Sequence, residues 1–201
     1  MKKCALSAIF VCCITVLFVS SCNNDAPDIP SVPDAEKAAA AAAIRGYYEG
    51  KMICESANST DTVDIEWFVY SDSVMYIKGF PASLLARNIT DGNVANGITE
   101  RDNKTESVHI RFYSVSPVGF LMNPDNVVYR FGYGGVMHEI QIAFLVNTEK
   151  SYGQYDSSSQ KMDMQIVEAG VYVDGTLTPS MLSRETYFKF EGTKVAKEYL
   201  L

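Results

Sequence analysis

Few side chains in this sequence could do chemistry, and they are scattered. Two histidines occur in 201 residues. His109 shares strand parity with Ser107 and Arg111, a wet face, whereas His138 shares it with Ile140 and Ile142, an apolar one. A lone histidine on an apolar face reads as a packed core residue. Metal centres need several converging donors. His138 and Glu139 are neighbours on a strand, so they point to opposite faces. No Cys pair or His-x-His spacing supplies a ligand set. The Gly-x-Ser-x-Gly elbow of a serine nucleophile is missing as well. Asp64 and Glu66 share a face, but glycoside hydrolysis needs two carboxyl groups opposed across a cleft. No catalytic residue, metal ligand or cofactor is therefore assigned, and a cryptic hydrolase is the least favoured reading.

Tyrosine is the commoner handle, with 12 residues, and its flat body and polar tip suit contact surfaces. Most of these tyrosines fall in strand-like runs, where aromatic residues are expected anyway. Tyr152 and Tyr155 lie instead in a polar stretch with Gly and Ser, where core packing is less expected. They are the candidate contacts for a protein or glycan partner.

The five cysteines are Cys4, Cys12, Cys13, Cys22 and Cys54. Lys2 and Lys3 precede an apolar run from Ala5 to Val19. That run falls short of the roughly 20 residues that span a bilayer. It ends in small residues, the form of a signal peptide. Val19-Ser20-Ser21-Cys22 resembles the lipobox of bacterial lipoproteins. The resemblance implies cleavage before Cys22 and an acyl (palmitate-type) anchor on its thiol. The membrane partner would then be reached through Cys22, and the protein would sit on the outer membrane with its leaflet open. Residues 1–21 are the leader. Residues 22–33, with Pro27, Pro30 and Pro33, form a semi-rigid tether. Cys54 is then the one thiol of the folded part, without a disulfide partner, and is expected to be buried.

The formal charge is −7, and loss of Lys2 and Lys3 with the leader takes it to −9. That balance opposes nucleic acid and anionic headgroups, which need clustered Lys and Arg. The 180 residues left after removal of residues 1–21 suit one domain.

The elements follow from periodicity. Residues 34–43 carry a run of six alanines, Ala38 to Ala43, and read as a short helix, with Asp34 as its cap. From residue 44 to 201 the pattern is all-β, with a period of two. Val63, Ile65, Trp67 and Val69 lie on one parity, and so do Val108, Ile110 and Phe112. Gly134-Gly135 and Asp174-Gly175 are hairpin turns. Pro81 to Asn88 reads as a short helix. Asp91 to Glu106 and Asn147 to Gln160 read as long polar loops. Between Ile166 and Val167 the apolar parity flips, which suggests a β-bulge or a corner. About eight strands make a mainly β fold, either one antiparallel barrel or a two-sheet sandwich.

Gly46-Tyr47-Tyr48-Glu49-Gly50 opens the first strand just after the helix. It resembles the Gly-x-aromatic start of calycin-like barrels. The whole layout is similar to Bacteroidetes lipoprotein families that are domains of unknown function. The resemblance implies an envelope protein that binds a protein or glycan, or alternatively a carrier of a small apolar ligand inside the barrel. Asp61-Thr62-Val63 and Asp72-Ser73-Val74 resemble the Bacteroidetes O-glycosylation acceptor motif.

Overall fold

A computed structural model describes residues 32–55 and 59–197. Its elements in chain order are α1 (Asp34–Ile44), β1 (Gly46–Glu55), β2 (Thr60–Val69), β3 (Val74–Phe80), α2 (Ala82–Leu85), α3 (Gly92–Thr99), β4 (Lys104–Val115), β5 (Val118–Pro124), β6 (Val127–Tyr133), β7 (Val136–Phe144), β8 (Tyr152–Asp156), β9 (Lys161–Val173), β10 (Thr176–Leu177) and β11 (Thr186–Val195). Eight strands close an antiparallel barrel in the order β1-β2-β3-β4-β5-β8-β9-β11, with β11 returning to β1. Of the two expected architectures the barrel is the one formed, because β11 pairs along its length with both β9 and β1.

β9 runs past the barrel. Its first half lies between β8 and β11, and its second half pairs with β7 and β10. The switch falls at Glu168, opposite Thr186 on one side and Phe144 on the other. The register there skips Ala169, a bulge close to the expected parity flip. The β6–β7 hairpin extends from β9 as a wing, closed by Gly134 and Gly135 at φ 58° and 81°.

α1 covers one end of the barrel, burying Ala40, Ala41 and Ile44. Its last carbonyls would otherwise be orphaned. The Tyr48 hydroxyl donates to Ile44 O at 2.6 Å, and the Lys194 ammonium donates to Ala43 O at 2.9 Å. The expected cap differs, because Pro33 occupies the N-cap position and makes no side-chain bond. Asp34 sits inside the first turn and pairs with Lys37 at 3.1 Å, where a carboxylate still favours the helix N-terminus.

Two expected loops contain structure. The stretch 91–106 holds α3 and the start of β4. Asp91 caps α3 by accepting from Asn93 N and Val94 N, and only Val94 and Ile98 turn inward, so the polar composition concealed a short amphipathic helix. The stretch 147–160 holds β8, a five-residue strand paired with both β5 and β9. Its Gly and Gln lowered the apparent strand signal.

The barrel axis is filled. Tyr48, Met52, Trp67, Met75, Phe120, Met162, Phe188 and Phe190 are all fully buried. Trp67 also meets the ring of Phe190 edge-on at 6.1 Å and directs its indole N–H to Met162 Sδ at 3.3 Å. Gly50 and Gly192 oppose each other across β1 and β11. A Cβ on Gly192 would collide with the Trp67 ring, so the missing side chain is what admits the indole.

Candidate functional site

Two arrangements go beyond packing. The first lies on the outer wall of β1, β2 and β3. Tyr47, Phe68 and Tyr76 are register partners on three adjacent strands. Their rings stack in a row, 5.4 Å apart at 27° and then 5.0 Å apart at 24°. Tyr70, 55% exposed in the β2–β3 turn, meets Tyr76 edge-on at 6.5 Å. Lys78 Nζ lies 5.2 Å from the Tyr47 ring centre and 5.4 Å from that of Phe68. The strip borders an open concavity of about 640 Å³ that is lined by Glu49, Lys51, Asp64, Glu66 and Lys78. Glu49 and Glu66 face each other across the strands, an unfavourable like-charge pair. Lys197 resolves it by reaching both, at 2.5 and 3.0 Å.

The second arrangement is a polar layer inside the barrel, at the end away from α1. Strand alternation points Cys54, Glu106, Glu168 and Thr186 inward from β1, β4, β9 and β11. Ser151 joins them just before β8, and Tyr129 reaches in from the wing. All six are buried, Glu168, Thr186, Ser151 and Cys54 completely. Among the described residues, Glu106 Oε1, Tyr129 Oη, Ser151 Oγ and both Glu168 oxygens have no hydrogen-bond partner. The Thr186 hydroxyl accepts from Asn88 Nδ2 at 2.8 Å and lies beside the Glu168 carboxyl. It favours the charged form, but its geometry falls short of a hydrogen bond.

Burial dominates the electrostatics here. It pushes Glu168 up to about 8, only partly offset by Thr186. It pushes Glu106 to about 8 as well, with help from Asp125. The Tyr129 hydroxyl is raised by burial first, then by the negative charge of Glu106 and Glu168. At Cys54 burial raises the thiol to about 11 despite Arg87, whose Nη1 lies 4.0 Å from Sγ and whose guanidinium pairs with Asp61. Such a thiol is not a nucleophile at neutral pH.

The residues singled out in the sequence fall elsewhere. Cys22 lies outside the described residues. Tyr152 and Tyr155 sit on β8 rather than in a loop, and strand alternation separates them. Tyr152 is half-buried on the outer face. Tyr155 is buried, its ring edge-on to Tyr48 at 6.2 Å. Cys54 is buried. His138 is half-buried, stacked on Tyr133 at 4.1 Å and bonded through Nδ1 to Asp174 Oδ2 at 2.8 Å. Thr62 and Ser73 are exposed. Among the described residues no three His, Cys, Asp or Glu side chains are placed to share a metal ion, and no helix is long and apolar enough to cross a membrane. Sequence reasoning missed the polar layer. Its signal was available: Glu106 shares parity with Val108 and Ile110, and Glu168 follows Met162, Met164 and Ile166.

The molecule is thus a closed eight-stranded antiparallel β-barrel with a helix across one end and a hairpin wing at the other. Residues 43–173 match the family described as domain of unknown function DUF4840, and the chain belongs to that family. The matched span ends with β9, so β11, which closes the barrel, lies beyond it. No curated protein and no solved structure matches the chain.

Proposed function

We propose that this is a lipid-anchored cell-envelope protein, held at the outer membrane through Cys22, whose barrel binds a partner protein by the outer wall of β1–β3. The aromatic strip carries this reading. Tyr47, Phe68 and Tyr76 stack on one another, so their faces are largely used up, and all three remain partly exposed. Sugar stacking needs an open ring face, whereas a protein interface uses aromatic edges, hydroxyls and nearby charge. The filled axis also favours a binder over a carrier: Met52, Met75, Met162 and Met164, which would line a cavity, are buried in the core.

A photo-crosslinking residue in place of Tyr70, in intact cells, tests the surface. The expected result is a discrete protein adduct that disappears on adding Lys78→Glu and Phe68→Ser. An adduct unchanged by those substitutions, or capture of glycan alone, contradicts the proposal.

A further inference from the structure

We propose that the aromatic strip on β1–β3 is covered, in the same chain, by the segment Glu198-Tyr199-Leu200-Leu201, so that a partner binds there only after displacing it. The proposal rests on the reading of that wall as a contact surface and adds its regulation. β11 delivers the segment to the strip. Val195, its last residue, is the register partner of Tyr47, the first ring of the row. Lys197 then folds onto the same wall, where its ammonium bridges Glu49 and Glu66 at 2.5 and 3.0 Å. Those carboxylates occupy the next outward positions after Tyr47 on β1 and before Phe68 on β2. The anchored Lys197 therefore starts the following residues beside the rings. Their reach is sufficient. Neighbouring strands lie about 4.8 Å apart, so Tyr76 on β3 is roughly 14 Å across the sheet from Val195 on β11. Residues 196–201 span up to about 20 Å when extended.

The chemistry of the two sides matches. Tyr199, Leu200 and Leu201 are three large apolar side chains in a row. Set against the partly exposed Tyr47, Phe68 and Tyr76, they withdraw apolar surface from water on both sides. Charge agrees as well. Lys78 is the register partner of Glu66, but the Glu66 carboxylate goes to Lys197, and the Lys78 ammonium lies over the Tyr47 and Phe68 rings. Glu198 supplies a carboxylate of the sign that this exposed ammonium attracts. Covalent connection favours this occupant over another chain. A segment joined to the wall through Lys197 is presented at an effective concentration on the order of millimolar, which a free competitor has to match.

The test places p-benzoylphenylalanine at the position of Leu200 in the purified full-length protein. Irradiation should give an adduct at monomer mass, to a peptide that contains Phe68 or Tyr76. An adduct at dimer mass assigns the segment to a second copy, and absent or scattered adducts leave it undocked; each of these overturns the proposal. Truncation after Lys197 gives a reading without the probe. A segment docked for about four-fifths of the time lowers access about fivefold, so truncation should speed nitration of Tyr76 by about that factor and leave Tyr172, on β9, unchanged. Equal Tyr76 rates in parent and truncated chains of the same Tm also overturn it. In cells, truncation should raise the yield of the partner adduct at Tyr70, and a yield that truncation does not change contradicts displacement. Absence of that adduct from both chains counts against the wall as a partner surface, a failure distinct from that of the docked segment, which the purified protein decides.

Discussion

Tyr48 and Trp67 face each other across β1 and β2, with ring centres 5.6 Å apart and planes within 2° of parallel. The same Tyr48 holds α1 through its hydroxyl, so one side chain joins the helix to the barrel core. This stack depends on the glycine pair beside it. Gly192→Ala should drive a methyl into the Trp67 ring and cost about 1–3 kcal/mol by overpacking. Trp67→Ala should cost roughly 3–5 kcal/mol through the cavity it leaves. Tyr48→Phe removes the hydroxyl that bonds Ile44 O and should cost about 1 kcal/mol. Urea unfolding ranks the three; a Gly192→Ala variant as stable as the parent would argue against the close approach.

Stability should depend on pH through the polar layer. Glu106 and Glu168 sit near 8 in the folded chain, against an ordinary value of 4.5. The folded state therefore holds protons that the unfolded state releases between those values. The favourable contribution is fully present below about 4.5, and it is lost as pH rises to 8. Each group contributes a fall of about 1.4 kcal/mol per pH unit across that window. Glu168→Gln should make the decline between pH 5 and 8 shallower by about one such increment. Chemical denaturation at several pH values reads this directly, and parallel curves for parent and variant would contradict it.

Cys54 should be silent. Its thiol is fully buried and raised to about 11. A thiol reagent at pH 8 should label it only at the rate of global or local unfolding, accelerating when denaturant is added. Stoichiometric labelling within seconds under native conditions would show that β1 opens at its far end.

Trp67 and its alternating neighbours marked β2, and the short strand count reached eight, because one-sided burial leaves a period of two. Barrel and sandwich stayed undecided, because both use that period; the difference lies in β11 pairing with β9 and β1, contacts between residues far apart in the chain. α3 and β8 were hidden by Gly, Asn and Gln, whose weak propensities tertiary packing overrode. Tyr152 and Tyr155 looked like a loop pair, yet a period of two sends one out and one in. The polar layer escaped for the same reason as closure: Glu106, Tyr129 and Glu168 lie on β4, β6 and β9, far apart in the chain, and are buried only once the strands assemble.

Anchoring at Cys22 is the most direct test of the whole account, since the placement of the barrel outside the cytoplasm rests on it. Intact-mass and N-terminal peptide analysis of the protein extracted from membranes is the measurement. The account predicts a chain that begins at Cys22 with an acylated glyceryl group on its sulfur, and a Cys22→Ser protein that leaves the membrane fraction. A soluble native chain that retains residues 1–21, or a Cys22→Ser protein still bound to the membrane, would contradict it.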